Sequence, residues 1–287
     1  MTAALTAARE RFHKNLVDRH TLSLSFDDVA SNADGSQKTS IAIALHIAQD
    51  LAAQAVPKKL DGQRAGKQFE EAIERFLIET FPFFHSLRPG NWTIENVGGS
   101  RSEYQISKYE PYRHLTDLAR AIENDRTLAS VLGNSYEISP DILVLRNPEP
   151  DETINRDHEL VDADSGQYAV IRWANQDRPI VHAIVSCKWT LRSDRAQNAR
   201  SEALNVIRNR KGRTPHIAVV TGEPTPSRLA SLALGTGDID TVYHFALPEL
   251  IKAVDKTEND EAISMLRTLV DGKRLRDISD LPLDLAV

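Results

Sequence analysis

PIVHAIVSCKWTLRSDRAQNARSE, residues 179–202, decides how the rest of the chain is read. Its first ten residues are apolar and rich in β-branched side chains, the pattern of a core strand that ends at Lys188. Ser186 and Lys188 share one face of that strand and Cys187 takes the other. A dense charged group follows, Arg192, Ser193, Asp194 and Arg195, and a helix is predicted over 195–210. Its apolar side is Ala196, Ala199, Ala203, Val206 and Ile207, with Glu202 at the border of that side. Arg200 lies within the same side, so the helix is not cleanly amphipathic.

Downstream, HIAVVTG (216–222) reads as a buried strand and TPSRLASLAL (225–234) as a capped helix. DTVYHFA (240–246) is a further strand, followed by helices near 247–255 and 259–270. Upstream, ISPDILVLRN (138–147) is a strand entered through Pro140, 148–166 is an acidic irregular excursion, and QYAVIRWA (167–174) is a strand. The N-terminal part reads as helices: 4–18, an apolar helix 39–55 ending before Pro57, an amphipathic helix 65–80 and a helix 113–132. In the third of these Phe69, Ile73, Phe76 and Leu77 share one side, and Pro82 stops it. SNADGSQKTS (31–40) is a polar loop with turn formers Asn32, Asp34 and Gly35. Helices followed by alternating strands and helices imply an α/β fold, a central mixed sheet flanked by helices on both faces. No linker separates parts of the chain. The expectation is one domain over 1–287, with an N-terminal helical part (about 1–135) and an α/β core (about 136–287).

At 287 residues, 41% hydrophobic and 26% charged, the composition is that of a globular protein. No apolar run approaches the roughly 18–20 residues that span a bilayer, and MTAALTAARERFHKN does not read as a signal peptide. Cys187 is the only cysteine, which excludes an intrachain disulfide and a cysteine-cluster zinc site. These features predict a reducing cytoplasm. The net charge of −6 argues against coating nucleic acid by charge alone. Residues 188–213, however, hold eight bases against two acids and leave −12 for the remainder. A positive stripe on an acidic body suits a focused polyanion site, or else a solvated helix face.

Asp141 starts one apolar strand and Lys188 ends another, so neighbouring strands can bring a carboxylate and an ammonium to one rim. A helix packed on the second strand can direct Glu202 towards both. Carboxylates bind hard Mg²⁺ through oxygen, and the ion polarises a phosphoryl oxygen and activates water. A lysine beside them stabilises phosphoryl charge or orients the water. In a chain with 41 acids this spacing alone is a weak signal.

P140-D141, then S186-C187-K188, then E202, resemble the PD-(D/E)XK nucleases. They resemble in particular the type II restriction endonucleases in which the second acid has moved: Ser186 stands where Asp or Glu is usual, and Glu202 on the next helix replaces it. RSDR at 192–195 is similar to the segment that reads CCGG in this branch. SCKWTLRSDRAQNARSEALN, NRKGRTPHIAVVT, KRLRDISDLPLDLAV, SNADGS and EPTPSR extend the resemblance over nearly the whole chain. It implies a restriction-endonuclease-like fold and a prokaryotic cytoplasm. It implies catalytic Asp141, Lys188 and Glu202, with Glu70 as a supporting acid and neighbouring Glu71 as the competing choice. Metal ligands would be Asp141, Glu202, Glu70 and the Cys187 carbonyl, holding two Mg²⁺ per site. Arg192, Asp194 and Arg195 would read the inner CCGG bases, Asp34 and Arg228 the outer pair and Gln63 the minor groove, with Ser193 and Ser36 as further DNA-binding residues. The implied reaction is hydrolysis of GCCGGC after its first G, leaving 5′-CCGG overhangs and 5′-phosphates. The implied partners are double-stranded DNA, two duplexes held by a homotetramer, and a cognate DNA methyltransferase in the same cell without a stable complex. No membrane partner is implied.

The donors agree with this reading: arginine forks match guanine O6 and N7, and aspartate accepts from cytosine N4. The rival class is a non-catalytic, sequence-specific DNA-binding or regulatory protein that uses the same arginines. Cys187 with His182 or His216 as base is a further alternative, but a lone cysteine in a buried strand reads as packing. The histidines show no paired metal spacing, and no phosphate-binding glycine fingerprint appears.

Overall fold

Residues 2–98, 106–124, 127, 130, 138–191, 193–235 and 237–287 are described by a computed structural model, with only the backbone described for 123, 124 and 193–196. Arg192, the side chains of Ser193, Asp194 and Arg195, and the end of the expected 113–132 helix therefore lie outside the described residues.

The run around 179–188 forms β3 (Ile180–Lys188), buried through its interior. It lies within a six-stranded sheet with β1 (Trp92–Asn96), β2 (Ile142–Arg146), β4 (His216–Thr221), β5 (Thr241–His244) and β6 (Leu275–Asp277), in the order β1-β2-β3-β4-β5-β6. β1, β2 and β3 pair antiparallel; β3 to β6 pair parallel. The sheet is mixed, as the alternation of elements implies. The parallel half is reached through helices, as parallel pairing requires.

Helices α1 (Ala4–Asp18) and α3 (Gly62–Thr80) cover one face. There Phe69 of α3 packs against Trp189, which in turn meets Phe245. Beyond α4 (His114–Asn124) and the short α5 (Asp151–Ile154), α6 (Ser193–Asn209) covers the other face, where Ala199, Ala203 and Val206 meet Ile184, Ile217 and Val219. The 3.6-residue period of α6 is thus used as the sequence implies. The misplaced Arg200 also has a partner: it donates to the carbonyls of Leu232 and Leu234 at the end of α7 (Pro226–Ala233), where a cation suits the helix dipole. α8 (Leu247–Asp255) and α9 (Asp260–Asp271) follow the strands as expected.

Three expectations are corrected. QYAVIRWA is not a strand: it is a run of turns with one isolated bridge, Glu149 to Arg172. β-branched composition needs a ladder partner, and here Arg172 turns inward instead, binding Asp151 at 2.6 Å and the Ser165 carbonyl at 2.5 Å. This folds the excursion, together with the short helix Asp151–Ile154, back on itself. The second helix, α2 (Lys38–Asp50), stops well before Pro57 because Ala52 takes a left-handed turn (φ +56°) and 54–56 pairs with Leu24. β1 and β6 are strands that the sequence reading lacks; both are short edge strands recognisable only through their pairing.

Candidate active site

Asp141, the residue before β2, is aimed by backbone at both of its ends. Its carbonyl accepts the N–H groups of Val97 (2.9 Å) and Gly98 (3.0 Å), just past β1. Its carboxylate Oδ2 accepts the Cys187 N–H at 2.7 Å and the Ser186 hydroxyl at 3.3 Å. The Lys188 ammonium donates to the same oxygen at 3.3 Å and stands 4.0 Å from Glu202. The antiparallel register of β2 and β3, Ile142 opposite Val185, is what places Asp141 beside the end of β3. Ser186 thus serves as a hydrogen-bond donor to Asp141.

Glu70 arrives from α3. Its neighbour Phe69 anchors the helix in the core, which turns Glu70 into a cleft of about 340 Å³. Asp141, Cys187, Lys188 and Glu202 line the same cleft, together with Gln63, Lys67, Gly98 and Asn198. Gly98 has a steric reason to be glycine: a Cβ there would stand 2.9 Å from the Glu70 carboxylate. Glu71, the competing acid, is instead paired with Arg19 at 2.8 Å. Lys67, Gly98 and Asn198 escaped the sequence reading. Their only signals are the spacing from Gln63 and Glu70 along α3, a glycine pair after β1, and a turn of α6 before Glu202.

Burial and the charge of Asp141 push the Glu70 carboxyl up to about 7, with Lys188 opposing. Burial raises Glu202 as well, against Lys188. Burial alone would push the Lys188 ammonium down, but Asp141 and Glu202 outweigh it and hold it above its usual value. The cleft is thus an excess of carboxylate around one buried ammonium, an arrangement that a cation would relieve. Among the described residues, no three acidic, cysteine or histidine side chains stand together as a ready-made metal cage. The donors around the cleft are nonetheless oxygens, which fits a hard divalent ion rather than zinc or copper. Burial and the facing acids push the Cys187 thiol well up, which disfavours the thiolate that a nucleophile needs. Its proposed bases are also committed: His182 to the Leu285 carbonyl at 2.8 Å, and His216 to Asp240 at 3.6 Å.

Two more site candidates, far apart in sequence, meet. Arg228, at the start of α7, is ion-paired with Asp34. Asp34 accepts the Ser36 hydroxyl at 2.7 Å and its N–H at 3.0 Å. Those bonds, and then Arg228, hold the Asp34 carboxyl well below its usual range. Arg228 also donates to the Leu191 carbonyl at 3.0 Å, one residue before Arg192. Gln63 is exposed in the first turn of α3, which Asp61 caps through the Arg64 N–H. The backbone of Ser193, Asp194 and Arg195 forms the first turn of α6. The positive stripe is only partly free for a ligand, since Lys188 and Arg200 are engaged within the protein.

The family model described as NgoMIV restriction enzyme matches residues 12–287. The type II restriction enzyme NgoMIV of Neisseria gonorrhoeae is 50% identical over 287 residues, all of both chains. A solved structure titled restriction endonuclease PspGI-substrate DNA complex aligns over 99% of this chain and 92% of that one, at 15% identity and a TM-score of 0.25, a likeness too weak to carry an inference.

Proposed function

The chain belongs to the NgoMIV restriction enzyme family and is a type II restriction endonuclease; on that premise we propose that it hydrolyses double-stranded DNA at GCCGGC, after the first G. The products are 5′-CCGG overhangs with 5′-phosphates. The observation that carries this reading is the convergence of Asp141, Lys188, Glu202 and Glu70 on one cleft, 3.3 to 4.0 Å apart where Lys188 meets the first two acids. A DNA-binding protein without catalysis has no use for that arrangement, which is why the enzyme reading stands above its rival.

Asp141, Glu202, Glu70 and the Cys187 carbonyl would hold Mg²⁺, two ions per site. Bound there, Mg²⁺ supplies Lewis-acid polarisation of the phosphate and a more acidic water. Lys188, protonated and held by Asp141, donates to the water and to the negative oxygens of the pentavalent phosphorus. Water attacks phosphorus in line and gives its proton to solvent, while the P–O3′ bond breaks and the leaving 3′ oxygen takes a proton from solvent. Ser186 and the Cys187 N–H hold Asp141 in place throughout, so little reorganisation is needed when charge develops.

Arg192, Ser193, Asp194 and Arg195 read the inner bases, starting four residues beyond Lys188, the last residue of β3. Asp34 and Arg228, with Ser36 behind Asp34, read the outer pair, and Gln63 reaches the minor groove. Their mutual pairing in the free protein suits a carboxylate and a guanidinium that later face cytosine and guanine. The whole chain acts as one endonuclease domain, in a homotetramer that binds two duplexes. Leu160, Tyr168, Val170 and Trp173 support association, since all are exposed on one excursion. No helix among the described residues is long and apolar enough to cross a membrane. The proposed setting is the bacterial cytoplasm, beside a methyltransferase that protects the same site.

Incubation with plasmid and Mg²⁺, against an EDTA control, tests the proposal. Discrete fragments whose ends map to G/CCGGC are expected only with Mg²⁺. Binding without cutting would return the reading to the rival class.

A further inference from the structure

Glu223 is 1% exposed, yet it carries a carboxylate into the loop between β4 and α7. Its Oε2 accepts the Leu191 N–H at 3.0 Å and its Oε1 accepts the Thr225 N–H at 3.1 Å. It stands 3.7 Å from the Arg228 guanidinium. Arg228 in turn donates to the Leu191 carbonyl at 3.0 Å and pairs with Asp34. Leu191 is therefore gripped at its N–H by Glu223 and at its carbonyl by Arg228, immediately before Arg192. The adjoining Gly222 extends the junction: its N–H donates to the Lys188 carbonyl at 3.1 Å, and its carbonyl accepts Asn32 at 2.7 Å. Glu223 and Gly222 thus sit where the loop holding Asn32 and Asp34, the backbone of Leu191 and the end of the strand bearing Lys188 meet.

Burying a carboxylate is unfavourable unless hydrogen bonds and a cation compensate it. A backbone amide pair alone could be capped by a neutral side chain. The retained charge matters beside Arg228. When Asp34 turns to a cytosine, Arg228 loses part of its neutralisation, and Glu223 is the carboxylate that stays with it.

We propose that Glu223 is a positioning residue that holds Arg228 and the Leu191 backbone in register, coupling recognition of the outer base pair to the inner bases and the cut. This rests on the proposed assignment of Asp34 and Arg228 to the outer pair. Glu223 does not touch DNA; it acts through Arg228.

The test uses the full-length protein with Mg²⁺ and three duplexes, containing GCCGGC, ACCGGT (outer pair changed) or GCTAGC (inner bases changed). kcat/KM is compared for wild type, Glu223→Gln, Arg228→Ala and the double variant. Glu223→Gln is expected to lower the preference for GCCGGC over ACCGGT by about tenfold, the lower part of what one bidentate base contact supplies. Discrimination against GCTAGC should fall less. The double variant should lose no more outer-pair discrimination than Arg228→Ala alone, because both changes act on one contact. If Glu223→Gln shows no cooperative thermal transition, Glu223→Asp, which keeps the charge but withdraws it from Arg228, is read the same way. An unchanged preference in the Glu223 variants while Arg228→Ala loses it overturns the proposal. So do additive losses in the double variant, or equal slowing on all duplexes with a lowered Tm, the mark of a scaffold role. If Arg228→Ala itself keeps the preference, the outer-pair assignment falls and takes the proposal with it.

Discussion

Lys188 is the one ammonium that two acids of the cleft share among the described residues. It is 16% exposed and faces Asp141 and Glu202, so its ammonium stays protonated in the cleft. Lys188→Ala should reduce Mg²⁺-dependent cleavage by on the order of 10²–10³ or more, the worth of a preorganised charge donor. Retention of a GCCGGC duplex in a gel shift should survive, because the proposed base contacts lie elsewhere. Wild-type turnover by that variant would remove Lys188 from the mechanism. At this scale the sequence was informative for Asp141, Lys188 and Glu202 through motif and strand-end position. It could not choose between Glu70 and Glu71, which are adjacent on a helix with acids on its open side. Packing separates them: Phe69 turns Glu70 into the cleft, and Glu71 finds Arg19. Nor could the sequence show that Asp34 and Arg228 pair, since 194 positions separate them.

At the scale of elements, the parallel β3–β4 pair is the frame of the site. Lys188 lies opposite Thr221 in that register, which brings the β4–α7 loop with Glu223 beside the end of β3. The same strands carry buried histidines. His182 of β3 donates to Leu285, and His244 of β5 accepts the Ala246 N–H at 3.1 Å. Burial pulls both imidazoles down to about 4 from an ordinary 6.5. Between those values the unfolded chain takes up protons that the folded chain refuses. Their contribution to stability is therefore complete above about pH 6.5 and is lost as pH falls towards 4. The urea midpoint should drop between pH 7 and pH 5. His182→Gln and His244→Asn, which preserve the donor and the acceptor respectively, should each flatten that drop. A drop of the same size in both variants would show that other groups drive it. The long apolar strands and periodic helices were readable because each satisfies its own pattern. β1, β6 and the failed strand at 167–174 were not, because a strand exists only where a neighbour offers a ladder.

For the whole molecule, the proposed assembly is directly measurable. Light scattering during size exclusion should give a particle of four chains, each 32.0 kDa; a single 32.0 kDa species at working concentration would refute the tetramer. Within one chain, the N-terminal helix is tied to the far end of the sequence. Arg9 binds Glu249 and Asp277 (2.9 Å), and His13 lies 2.7 Å from the Phe245 carbonyl. The sequence by itself determined the fold class, the core strands and most helices, and it supplied the acids, lysine and arginines proposed for the site. These come from periodicity, side-chain chemistry and motif order, which are local properties. Only the tertiary structure decided which of those charges share a cleft, which are spent on helix ends, and that buried Glu223 meets both Leu191 and Arg228. Those outcomes depend on strand register and helix packing between residues remote in the chain, where distance and burial set which charges attract.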